Sequence, residues 1–198
     1  MQCVAKKQAC LLGVHAKAEK KGVPVDQTAV LKCTDKFDGG TKPEKGCIAK
    51  LEDKEDTRKP DTICTVTGDL TTLEAKVDAF IADVVSAIDP TFPAVQPPNN
   101  CNAGKKACMW KKASCLLKTE LDAAKKNMPV DSGEVQKCTE KFDGGIKPEK
   151  GCIAKLEAKQ RPEKPKTLCS VSHDDIAALE AKVDAFVTDV VSEIRNAP

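Results

Sequence analysis

The sequence predicts an all-α protein built from two disulfide-stapled four-helix units, and three observations carry that prediction. Apolar residues recur at helical spacing with almost no strand signal, one segment of about ninety-five residues occurs twice, and cysteines fall at two-turn intervals. The repeat is direct. CVAKKQACLL at Cys3 to Leu12 returns as CMWKKASCLL at Cys108 to Leu117, an offset of 105 residues. The same offset aligns KCTDKFDGGTKPEKGCIAKLE with KCTEKFDGGIKPEKGCIAKLE, and Cys64 with Cys169. After one inserted residue, LEAKVDAFIADVVSAI matches LEAKVDAFVTDVVSEI.

Each unit divides into four helices in order. The first runs to about Lys21 or Lys126 and stops before Val-Pro-Val-Asp or Met-Pro-Val-Asp. Asp26 and Asp131 cap a short second helix, which the pairs Gly39-Gly40 and Gly144-Gly145 end. Pro43 and Pro148 suit the first turn of a third helix through Leu51 or Leu156. Asp69 and Asp174 stand at the N-cap of the fourth, whose buried stripe is Leu73, Val77, Phe80, Val84 and Ile88, or Leu179, Val183, Phe186, Val190 and Ile194. The units are residues 1–89 and 101–198. Between them, 90–100 carries four prolines and reads as a stiff, extended linker.

Composition narrows the function. Thirty-two basic residues face 30 acidic ones, and only Arg58, Arg161 and Arg195 are arginines. Near-neutral charge with so little arginine argues against a dedicated nucleic-acid binder. No apolar run approaches the ~20 residues needed to span a bilayer. CxxC, CxxCH, GxSxG, HExxH and phosphate-loop patterns are all missing, so the sequence calls for no cofactor and points away from an enzyme. Asp38 and Asp143 beside their glycine pairs lack the other ligands of a calcium loop and read as helix ends. The lysine-rich stretches mix both signs, the pattern of a solvated helix face.

The eleven cysteines say the most. Cys101, Cys108 and Cys115 line one face of a helix, each ~10 Å from the next, too far apart to bridge one another. Each must therefore pair with Cys138, Cys152 or Cys169, which leaves six connectivities. An antiparallel second helix favours the nested one: Cys101–Cys169, Cys108–Cys152 and Cys115–Cys138. The matching bridges of the first unit are Cys3–Cys47 and Cys10–Cys33. Cys64 is left unpaired, because the counterpart of Cys101 would fall four residues before Met1. That gap suggests a longer precursor or an array with further repeats, or a bridge between molecules. Such a framework places the protein in an oxidising compartment: secreted, periplasmic or at the cell surface.

Two other readings stand beside this one. Cys101, Cys108, Cys115, Cys138 and Cys152 can be read as soft-metal ligands for Cu(I) or zinc, although no closely spaced ligand pair occurs. A cavity lined by Leu73, Val77 and Phe80 would instead make a carrier for a small apolar ligand. Trp110, with Lys106 and Lys111 near it, is a candidate anchor for a protein, glycan or envelope component; its plainer role is to cover a bundle end. His15 aligns with Glu120 and His173 with Gly68, so neither histidine recurs. GKKAC at Gly104 to Cys108, VDxxxVxKC ending at Cys33 and Cys138, and LEAKVDAF at Leu73 and Leu179 together resemble cysteine-rich, Ala/Lys-rich helical repeat proteins of predicted secreted bacterial type, known as uncharacterised reading frames. That resemblance implies a secreted helical repeat and brings no activity with it. The function expected is a non-enzymatic binding or structural module.

Overall fold

The computed structural model describes residues 1–54, 68–91, 93–94, 97–170 and 175–196. Among these residues the secondary structure is entirely helical. In chain order the helices are α1 (Gln2–Lys21), α2 (Gln27–Asp38), α3 (Ala49–Glu52), α4 (Leu70–Ile88), α5 (Asn100–Lys126), α6 (Ser132–Asp143), α7 (Cys152–Glu157) and α8 (Ile176–Asn196).

Local chemistry explains most of the boundaries. Gly22 ends α1 with a left-handed φ of 63°, and Asn127 ends α5 at 48°. Asp26 accepts a hydrogen bond from the Ala29 amide, and Asp131 does the same for Gly133 and Glu134. Gly39 and Gly144, at φ 94° and 96°, close α2 and α6. The Asp38 and Asp143 carboxylates then accept the Gly40 and Gly145 amides at 2.8 Å.

Two expected elements differ. The third helix is broken: Pro43–Lys45 and Pro148–Lys150 form single 3-10 turns, and α3 and α7 begin only after Gly46 or Gly151. Those glycines take an extended ψ near 155°, which sends the Cys47 amide back to the Phe37 carbonyl at 2.8 Å instead of along a helix. Asp69 does stand at the start of α4, but its side chain makes no capping hydrogen bond. Asp174 lies outside the described residues.

The packing revises the spacer expected at 90–100. Antiparallel α1 and α5 pack along their lengths, and α4 packs on α8. Helices from both copies of the repeated sequence share one buried core, including Leu12, Val77, Phe80, Met109, Leu117, Val183 and Phe186. The Asn99 amide donates to the Glu19 carbonyl at the end of α1, while its side chain caps α5. The described residues Pro93, Ala94 and Pro97–Asn99 thus lie against the C-terminal end of α1. The apolar stripes explain why: α4 and α8 each bury more than one side, and each needs a second helix to cover it.

Candidate functional site

The cysteines meet as five pairs. Cys3–Cys47 and Cys108–Cys152 tie α1 and α5 to the chain around α3 and α7, and Cys10–Cys33 and Cys115–Cys138 tie them to α2 and α6. Cys101–Cys169 adds a third bridge in the second half, with Cα atoms 5.0 Å apart. These are the pairs of the nested order. Cys64 lies outside the described residues. The soft-metal reading loses its ligands here, because Cys101, Cys108, Cys115, Cys138 and Cys152 are all in disulfides and offer no thiolate. Among the described residues, no group of three or more His, Cys, Asp or Glu side chains is placed to hold a metal ion.

Between the bridges the structure places lysines that the sequence reading assigned to a solvated face. Lys7 is fully buried, 2.6 Å from Glu74 and 3.0 Å from Asp78 on α4. Its ammonium also sits 5.1 Å from the centre of the Phe37 ring. Lys112 repeats this arrangement with Glu180 at 2.6 Å, Asp184 at 2.7 Å and the Phe142 ring at 5.4 Å. Lys105 is buried against Glu157 at 2.6 Å. A signal for all three was present. Each lies four residues after one cysteine and three before the next, which puts it on the disulfide-bearing stripe of its helix. The sign alternation of the surrounding stretch masked that register.

The candidate partner anchor is also revised. Lys106 cannot meet a partner: it is buried and paired with Glu19 at 2.5 Å. Trp110 is half-buried against the core on α5, and its backbone carbonyl accepts the buried Gln8 amide at 3.2 Å. Of that group only Lys111 is exposed. The neighbourhood is a seam between α1 and α5 and not an open surface. Gln8 also donates to the Ser114 hydroxyl at 2.8 Å, while its Oε1 is buried with no partner.

At the end of the seam, His15, Glu19, Asp89 and Lys106 line a small, partly open pocket of about 40 Å³, to whose wall Pro93 and Ala94 also belong. Glu19 accepts from both Lys106 and Asn102. Burial, reinforced by the Lys106 charge, pulls the His15 pKa down from 6.5 to about 4. His15 is therefore neutral at physiological pH. His173 lies outside the described residues.

The interior cavity that a ligand carrier would need is not where it was expected. Leu73 and Val77 are packed into the solid core. What opens instead is a shallow valley of about 980 Å³ on the outer side of α4 and α8, lined by Ala75, Ala79, Ala181, Ala185 and two Lys–Asp pairs. Phe80 and Phe186 form its floor, stacked at 4.1 Å with their planes 8° apart. Lys76 reaches Asp189 and Lys182 reaches Asp83, each at 2.6 Å. The Asp189 hydrogen bond holds the Lys76 ammonium above the ordinary lysine range. None of the described helices is long and apolar enough to cross a membrane. In comparison with known proteins, the chain matches no family, no curated protein and no solved structure.

Proposed function

We propose that this chain is a non-enzymatic structural or binding module of an oxidising compartment, extracellular, periplasmic or at the cell surface. In this reading the two copies of the repeated sequence do not act as beads on a linker. They close on each other as one pseudo-symmetric bundle, whose outer faces are available to a protein, glycan or envelope component.

The five long-range disulfides carry the proposal. They close loops of 23 to 68 residues, and bridges of that span stabilise by roughly 3–4 kcal/mol each on a chain-entropy account. The short segments α3 and α7 bury little surface of their own and depend on such ties. A reducing cytosol would open the bridges.

The test is mass spectrometry of the protein alkylated without reduction and then digested. Five disulfide-linked peptide pairs, with Cys64 alkylated or linking two chains, support the reading. Alkylation of several of the ten paired cysteines in protein from an oxidising compartment overturns it.

A further inference from the structure

The outer valley between α4 and α8 has a charge layout that is its own complement. The two helices run antiparallel, since Lys76 meets Asp189 while Asp83 meets Lys182. Seen from outside, the four charges mark the corners of a rectangle around the Phe80–Phe186 stack, with lysines on one diagonal and aspartates on the other. With the helices kept aligned, a half-turn about either in-plane axis of that rectangle exchanges every lysine corner with an aspartate corner. Lys76 then faces an aspartate of the other rectangle, and so does Lys182.

We propose that a second copy of this chain docks on this valley, face to face, and that the protein self-associates as an isologous dimer. Each lysine then lies between the aspartate of its own chain and one across the interface. The carboxylates keep the exposure this requires, at 51% for Asp83 and 55% for Asp189. Between the corners, Ala75, Ala79, Ala181 and Ala185 are small enough to let the two helix pairs approach closely over the aromatic floor. The reciprocal charges favour this occupant over an amphiphile or an unrelated helix, which would leave one diagonal unmatched.

Area sets the expected strength. Helices of about 20 residues are ~30 Å long and pack ~10 Å apart. A two-helix face of that size buries roughly 1,100 Å² in total, near the lower limit for a specific interface. The dimer is therefore weak, concentration-dependent and sensitive to salt.

Sedimentation of the oxidised full chain from micromolar to millimolar concentration, at low and high salt, tests this. A monomer–dimer equilibrium that salt weakens is expected. Placing arginines at the centre with Ala79→Arg and Ala185→Arg weakens association at least about tenfold while leaving the circular dichroism of the monomer unchanged. A charge-split pair sharpens the test. Asp83→Lys with Asp189→Lys, and Lys76→Glu with Lys182→Glu, are each monomeric alone and associate when mixed. If either charge variant fails to fold, the arginine pair decides by itself. A native chain that stays monomeric throughout, including one that instead binds decanoate saturably in the valley, overturns the proposal. So does a dimer that survives the arginine pair.

Discussion

Lys7 in the first half and Lys112 in the second occupy nearly the same setting: two carboxylates from the following long helix, one phenylalanine ring and two flanking disulfides. The two halves differ where they meet. Gln8 stands against Ala113, His15 against Glu120, Glu19 against Ala124 and Trp110 against Ala5. At the Glu120 position an exposed pair with Arg195 at 2.9 Å replaces the half-buried histidine. The interior of each half is repeated, and the seam between them is not. A true homodimer must use the same residue on both sides of its axis. Within one chain that constraint is lifted, and each side of the seam carries its own chemistry.

The sharpest way to break this comparison is at the seam itself. Lys106 and Glu19 are both almost wholly buried, so removing Lys106 leaves the Glu19 charge without its counter-ion, with only the neutral Asn102 amide still donating to it. Lys106→Ala should lower unfolding stability by about 3–5 kcal/mol, read from the denaturant midpoint at neutral pH. The repeated interior gives a smaller effect, because its acids can rehydrate: Glu74 and Asp78 are 23% and 55% exposed, and Glu180 and Asp184 are 20% and 51%. Lys7→Ala and Lys112→Ala should each cost about 2–3 kcal/mol, and the two losses should agree within about 0.5 kcal/mol. A large inequality would show that the equivalent geometry hides different energetics.

The helices, their second caps and the cysteine pairing were legible because each rests on short-range rules. Two-turn spacing forbids bridges along one helix, and Asp26 and Asp131 stand where cap geometry needs an acceptor. The closing of the halves was not legible. It depends on α4 and α8 burying several sides at once, and a single-stripe reading of Leu73 to Ile88 misses Ile81 and Val85. Proline content at 90–100 predicted an extended path, whereas its described residues include a turn in which the Ala94 amide donates to the Thr91 carbonyl at 3.0 Å. The buried lysines were misread for a related reason. Composition averages a stretch, whereas burial follows one residue's register relative to Cys3, Cys10, Cys108 and Cys115.

Acid distinguishes the seam next. The folded protein holds His15 near a pKa of 4, and the unfolded chain restores it to 6.5. Between those values the unfolded state binds more protons, so stability is complete above pH 6.5 and is lost as pH falls towards 4. The loss is about 2–3 kcal/mol, with Lys106 opposing the imidazolium from α5 while the Glu19 and Asp89 carboxylates line the same pocket. Denaturation midpoints at intervals from pH 7.5 to 4.5 should show it, and His15→Gln should flatten the curve above pH 5. A slope that persists in the variant assigns the dependence to another group.

The smallest effect belongs to Gln8, at the centre of the α1–α5 seam. Its Nε2 has two partners, yet its Oε1 is buried with none. A stranded carbonyl costs about 1–3 kcal/mol, whereas the two hydrogen bonds return about 1 kcal/mol each. The equivalent Ala113 is just as buried and carries no polar group, so the fold does not require one at this point. Replacing Gln8 by leucine removes the stranded oxygen at similar volume. It leaves the Trp110 carbonyl within its helix and the Ser114 hydroxyl on the half-buried flank of α5. The two terms nearly cancel, so Gln8→Leu should change stability by no more than about 1 kcal/mol, with the added apolar burial favouring stabilisation. A stabilised variant that loses sharp amide dispersion in its NMR spectrum would identify Gln8 as the residue that fixes how the two halves register, at a cost in stability. A destabilised one would show that its two hydrogen bonds outweigh its unpaired oxygen.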